Sequence, residues 1–414
     1  MGAGFRRLVV ASGFSNLADG VFQVALPLIT LGVTRDPAAF TTVTVALKLP
    51  WLLFALPAGA LADRLDRRRT MVLVNAGRGV LIGGLAAVVA TSGATLWLLV
   101  LVALALGVGE TLFDTAAMSI VPNLVGRDEL SQANGRLFAV ELTTNQFVGP
   151  PLGGLIVGVT AAGALGSTAG AYALGALTLA LIAGSFRPVR DGPPTRLRQD
   201  IVEGVRYLFG HRLLRTLALL TGIQNLAFTA ALAVLPLHAV DPAPMGLSEA
   251  GYGVLITLLA IGAVVGAPLV PPLERRIGRP RALLLALVGA SAVWAVPGLT
   301  ASAVVVGVAF LPVGALTIVW NVITVSLRQS ITPDHLLGRM NAGYRLLAWG
   351  AQPLGAALGG QLGGLLDVQA VFLLAAAGSL SAAPLLLAVV TEKAITEAER
   401  PTEPAAPARG PTQA

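Results

Sequence analysis

The chain has no cysteine, only three histidines among its 414 residues, and only 12% charged residues. The missing cysteine excludes disulfides, thiolate metal sites and a cysteine nucleophile. His211, His238 and His335 lie too far apart for a metal-ligand spacing. No His-Glu-x-x-His, no Gly-x-Ser-x-Gly and no phosphate-cradling glycine loop occurs, so the usual signatures of hydrolases and ATP-driven machines are missing. Soluble domains carry about 25% charged residues. This chain is 55% hydrophobic with a mean hydropathy of +0.79, too apolar to hide its surface in water. It therefore belongs in a bilayer.

What is present is a repeat. Ser12, Gly13, Asn16, Leu17, Ala18, Pro27 and Leu28 return as Thr221, Gly222, Asn225, Leu226, Ala227, Pro236 and Leu237. Gly149-Pro150-Pro151-Leu152-Gly153-Gly154 returns as Gly355-Ala356-Ala357-Leu358-Gly359-Gly360, and Arg136-Leu137 returns as Arg345-Leu346, with small insertions. The repeating unit is half the chain. Many transporters are built from such a duplicated unit, with the substrate site between the copies.

Apolar runs of about 20 residues suffice to cross a bilayer. They fall near 8–33, 40–62, 70–91, 95–120, 134–160, 165–186, 214–238, 250–273, 281–300, 302–327, 340–365 and 368–390. The expected fold is all-α and membrane-embedded, with twelve spans in two pseudo-symmetric six-helix bundles, 1–186 and 214–392. Between them, 187–213 reads as a cytoplasmic linker with an amphipathic helix on the membrane surface. The tail 393–414, rich in Pro, Ala and Glu, reads as disordered. Of the 28 Lys and Arg residues, all but Arg35, Lys48 and Arg78 sit at the termini, in even-to-odd connections or at helix ends beside them. The positive-inside rule then puts both termini in the cytoplasm of a cell-membrane protein. The net charge of +7 is thus an orientation signal, and no nucleic-acid partner is expected.

Gly59-Ala60-Leu61-Ala62-Asp63-Arg64-Leu65-Asp66-Arg67-Arg68-Arg69 stands between spans two and three. It resembles the signature loop of the major facilitator superfamily, and Pro57 through Arg69 resembles the variant of its twelve-span efflux branch. That branch includes macrolide, multidrug and enterobactin-type exporters. Asp66 departs from the family pattern, which has Gly there. The resemblance implies a conformational latch made of Gly59, Asp63, Arg64, Arg67 and Arg68. Read physically, the arginines also anchor topology. Gly149, Pro150, Gly153 and Gly154 resemble the antiporter motif of span five. Proline breaks the preceding turn and the glycines make a flat face for a close neighbour.

A charge in hydrocarbon costs about 3 kcal/mol or more, so each one needs a reason. Asp19 lies near the middle of span one and is the first candidate for proton or substrate binding. Glu110 and Asp114 share a face of span four. Arg78 lies at a depth like that of Asp114 and is expected to pair with it. Glu141 and Asn145 extend a polar patch on span five. Lys48 is expected either to neutralise Asp19 or Glu110 or to snorkel outward. The second half has no acid in a span. It offers Asn225, Trp320, Asn321 and Trp349, and the repeat partner of Asn225 is Asn16. This pairing of an acidic half with an aromatic one suits an amphipathic small-molecule cargo. The resulting expectation is a proton-coupled exporter without cofactor or metal, monomeric, with cargo, protons and membrane lipid as its partners. A siderophore or metabolite exporter and a nutrient symporter are the alternatives on the same fold.

Overall fold

The computed structural model describes residues 2–54, 65–126, 129–184, 186 and 197–399. Among these residues the protein is helical, in chain order α1 Ala3–Leu31, α2 Pro37–Leu53, α3 Arg67–Thr91, α4 Leu96–Ile120 and α5 Leu130–Glu141. α5 continues through a π-helical segment, Leu142–Val148, into α6 Gly149–Val159. Then come α7 Ala161–Ala180, α8 Leu197–Gly210, α9 Arg212–Ala239, α10 Glu249–Gly266, α11 Val270–Ile277, α12 Arg279–Trp294 and α13 Val296–Leu299. α14 Ala303–Ile331, α15 Asp334–Leu365, α16 Val368–Leu380, α17 Ala383–Val389 and α18 Glu392–Glu399 complete the chain.

Local chemistry sets several helix starts. Asp36, Asp66, Ser248, Ser302 and Asp367 each accept a backbone N–H three residues ahead, satisfying a donor that a helix start otherwise leaves bare. Among the described residues, eight helical stretches are long and apolar enough to cross a bilayer. Four of the expected spans are not among them. α2 ends where the described residues stop. Gly, Ser and Thr dilute α7. The stretch through α5 and α6 is divided by the π segment, and α15 begins in polar sequence.

The apolar core follows the sequence halves. Two clusters draw on residues of the first half, around Phe22, Ile82 and Tyr172 and around Phe5, Met71 and Phe113. Two draw on the second half, and one of these also takes in Val24, Leu28, Leu31 and Phe40. The glycine motifs explain how helices approach so closely. A Cβ at Gly153 would lie 2.6 Å from the Val21 carbonyl, and one at Gly359 would lie 2.5 Å from that of Ala230, the repeat counterpart of Val21. These contacts are within each half. The next glycine in each motif faces the other half. Gly154 abuts the backbone of Glu249 and Ala250 on α10, and Gly360 abuts Pro37 and Thr41 on α2. Arg35 adds a hydrogen bond of 2.7 Å to the Asp241 carbonyl. The end of the molecule opposite the termini is therefore joined across the halves.

Two sequence expectations change. The amphipathic α8 is packed on protein: Gly204 abuts the Arg339 backbone, Val205 and Leu208 meet Gly343 on α15, and Glu203 pairs with Arg339. The start of the tail is ordered as α18. Ile395 is buried, and Glu399 accepts from Arg279 at 2.6 Å and from Ser330 at 2.8 Å. Residues 400–414 lie outside the described residues.

Candidate functional site

Asp19 on α1 is the hub of a polar cluster inside the first half. The Tyr172 hydroxyl on α7 donates to its Oδ1 at 2.5 Å, and Arg78 Nη1 on α3 stands 3.6 Å from the same oxygen. Arg78 is held over two rings, 5.3 Å from the Tyr172 centroid and 5.9 Å from that of Phe113. Its side chain is 4% exposed and that of Asp19 is 28% exposed, so the arginine is sealed and the acid faces the cavity. This corrects the expected pairing of Arg78 with Asp114. Both acids line the same cavity, but the face of α1 that carries Asp19 is the one turned to Arg78.

Glu110, Asp114, Glu141, Asn145 and Lys48 join Asp19 and Arg78 around a cavity of about 270 Å³. Lys48 points inward and also lines a second cavity of about 210 Å³, toward the end that joins the halves. Asn145 sits in the π segment, whose backbone presses on Gly20 of α1. That segment repeats i→i+5 hydrogen bonds and re-aims the side chains on it, as π turns at functional sites commonly do. The segment falls where the offset of the repeat changes. Arg136 and Arg345 are 209 apart, whereas Gly149 and Gly355 are 206 apart, so the first copy carries three extra residues between them.

The largest cavity, about 630 Å³, belongs to the second half. Asn225, Phe228, Trp294, Trp320, Asn321 and Trp349 are among its lining residues. It extends to Gln329 and Asn341, which flank the turn between α14 and α15 at the terminus-bearing end. Trp349 and Gln352 line both this cavity and the acidic one. The acidic and the aromatic cavity thus adjoin at Trp349 and Gln352. Trp320 Nε1 donates to Thr221 at 3.0 Å, and Asn321 bonds back to Thr317 at 3.1 Å. The repeat-related asparagines have diverged. Asn225 bridges to the Ala348 carbonyl of α15 at 2.7 Å, whereas Asn16 bonds to Ser12 on its own helix at 2.9 Å.

Of the expected latch, Gly59, Asp63 and Arg64 lie outside the described residues. Arg67 donates to Asn123 Oδ1 at 2.6 Å, and Arg68 donates to the Ile182 carbonyl. Asp66, the departure from the family pattern, caps α3 through Arg69 N at 2.9 Å and receives Phe186 N at 2.8 Å. It thereby ties the start of α3 to the end of the first half. Tyr172 and Trp51 were not singled out from sequence. A lone tyrosine in an Ala- and Gly-rich span, the only group there able to reach a buried acid, was the available signal for Tyr172.

The chain matches the transmembrane secretion effector family over residues 2–410. It is 30% identical over 394 residues to the multidrug efflux pump Tap of Mycobacterium tuberculosis, covering 89% of this chain and 88% of the relative. It is 27% identical over 396 residues to the enterobactin exporter EntS of Escherichia coli O127:H6, covering 94% and 92%. Two solved structures share its fold. The nucleoside transporter NupG superposes with a TM-score of 0.74 at 14% identity, covering 94% of this chain and 99% of that one. A bacterial homologue of the iron transporter ferroportin, in an inward-facing state, gives 0.73 at 17% identity, with 94% and 99% covered.

Proposed function

Because this chain belongs to the transmembrane secretion effector family of the major facilitator superfamily, we propose that it exports amphipathic small molecules by alternating access, driven by protons. The observation that carries this reading is that an acidic and an aromatic cavity adjoin, which we read as one chamber between the halves. A first-half wall of Asp19, Glu110, Asp114 and Glu141 faces a second-half wall of tryptophans, with Trp349 and Gln352 common to both. Such a chamber holds an apolar body and places its polar end near groups able to take and release a proton. In this reading the chain has twelve spans in two bundles, 1–186 and 214–392. The reciprocal contacts of Gly154 and Gly360 support that symmetry. The linker is 187–213 and the tail 393–414. Both termini face the cytoplasm of the cell membrane, and the monomer works alone among lipids. The chamber extends toward the terminus-bearing end, so cargo enters there. Arg67, Arg68 and the undescribed Asp63 hold the latch.

Asp19 is the coupling carboxylate. Its partners can trade places: Arg78 and Tyr172 satisfy it when it is charged, and a proton or cargo releases them. Glu110 and Glu141 are auxiliary acids in the same cavity. The test is proton movement on addition of a lipophilic dye to purified protein in liposomes. Asp19→Asn keeps the shape and removes the charge change. It should abolish uphill export and proton exchange while dye binding persists. If Asp19→Asn protein still exports against a gradient and still moves protons, the coupling assignment fails.

A further inference from the structure

The second-half wall of the chamber is cationic as well as aromatic. Arg328 on α14 and Arg345 on α15 both line the large cavity. Among the described residues neither has a carboxylate at ion-pair distance. Arg328 donates through Nε to the Thr324 carbonyl of its own helix at 3.3 Å, and its guanidinium lies 3.8 Å from the Tyr344 ring centroid. Arg345 stands 4.4 Å from the ring of Trp349 and 5.3 Å from that of Trp51. Those two rings meet edge to face at 4.8 Å, one from each half of the chain.

Stacking engages the face of a guanidinium and leaves the N–H donors on its edge unspent. Asp114, which lines the acidic cavity, attracts Arg345 more than Arg328 repels it, but it is not at ion-pair distance. Two half-buried cations on one cavity wall, with unspent donors and no carboxylate at ion-pair distance, are an unfavourable arrangement left empty. An anion between them removes the repulsion and takes charge-assisted hydrogen bonds from both. The same cavity also has an apolar wall, with Phe228 and Trp294 edge to face at 5.3 Å, which suits a ring-bearing ion better than a bare inorganic one.

We propose that Arg328 and Arg345 form an organic-anion site, and that the cargo is an aryl-bearing amphipathic acid whose carboxylate or sulfonate lies between the two guanidiniums. This deepens the exporter reading and rests on it. The cation-lined wall then selects the cargo, while the acids of the first half handle protons.

The test uses three ligands with one ring system: pyrenebutyrate, its uncharged amide and the matching pyrenebutylamine. Quenching of tryptophan emission is followed at neutral pH with the full chain in phosphatidylcholine nanodiscs, and protein-free discs correct for partition. The wild-type protein should bind the anion about tenfold or more tighter than either analogue, the effect of adding hydrogen bonds to a charged group. Arg345→Gln and Arg328→Gln should each lose most of that preference while keeping amide binding, and Arg345→Lys should keep part of it. If the wild-type protein binds the amide or the amine as tightly as the anion, the anion site is refuted while the amphipathic chamber stands. Loss of amide and anion binding in equal measure in both Gln variants likewise overturns the charge role. Failure of all three ligands to bind refutes the chamber itself, and the exporter reading with it.

Discussion

Replacing Gly154 by alanine adds one methyl group where helices of the two halves meet. Its Cβ would lie 2.3 Å from the carbonyl oxygen of Glu249 and 3.1 Å from Cα of Ala250. Both are backbone atoms of α10 and cannot swing aside as a side chain would. α6 and α10 must therefore part by about 1 Å, a form of overpacking that costs about 1–3 kcal/mol. On the alternating-access reading proposed above, that cost falls only on the state in which this end is closed. Opening the end relieves it, so the open population should rise by about 5–150-fold. Gly153→Ala is the matched control. Its Cβ would sit 2.6 Å from the Val21 carbonyl, a contact inside one half that persists in either state. It should lower thermal stability without moving the equilibrium. The chain has no cysteine, so a pair placed at the exposed Ser92 and Ala301 can be spin-labelled cleanly. Distance distributions in nanodiscs should lengthen for Gly154→Ala and stay unchanged for Gly153→Ala. An equal shift in both variants, or no shift in folded Gly154→Ala protein, refutes the reasoning.

Asp66→Ala removes the cap of α3 and the acceptor for Phe186 N, and should cost about 1–2 kcal/mol, read as a lower melting midpoint. Arg78→Met strands Asp19 without its cation. Since Asp19 still faces the cavity, the loss should sit near the lower end of a broken buried pair, about 3 kcal/mol, and adding Asp19→Leu should recover most of it. A double variant no more stable than Arg78→Met would show that the pair is not what Arg78 contributes. His211 caps α9 by accepting from Leu214 N at 3.4 Å, and burial holds its imidazole below its usual value. The unfolded chain then binds more protons, so this contribution is intact above about pH 6.5 and lost as pH falls below it. His211→Asn keeps an acceptor that does not titrate, and the protection factors of amides at the start of α9, corrected for intrinsic exchange, should lose their fall between roughly pH 7 and 5.

Charge inside an apolar run was enough to find Asp19, Glu110, Asp114 and Glu141, because hydrocarbon makes every such residue conspicuous. Their partners were harder to read. Depth along a helix follows from residue number, but rotation about the axis depends on packing, and rotation gives Arg78 to Asp19 rather than to Asp114. The linker helix shows a similar ambiguity. An amphipathic pattern in α8 is the same whether its apolar face meets lipid or protein. Gly204 opposite Arg339 and Gly343 opposite Val205 decide for protein. Helix starts were placed late at α5 and α15, where polar turns precede the hydropathic run. Arg345 is visible as a repeated residue, but its place against the touching rings of Trp51 and Trp349 joins positions nearly three hundred residues apart and leaves no local trace.

The π segment before Gly149 has a consequence for how the two halves differ. Lengthening a helix by insertion turns every side chain on one side of the insertion away from its former neighbours. Here the wide turn absorbs that rotation ahead of the glycine face, so Gly153 keeps the same seat on α1 that Gly359 has on α9. The turns upstream are released from symmetry. In one copy they carry Glu141 and Asn145, and in the other Trp349 and Gln352. On the proposed reading, the glycine seats that serve as the moving joint are therefore present twice, while each cavity lining is present once. Changes to either lining can alter what is carried without disturbing the joint, and a lineage can explore new cargo while the machinery of movement stays intact.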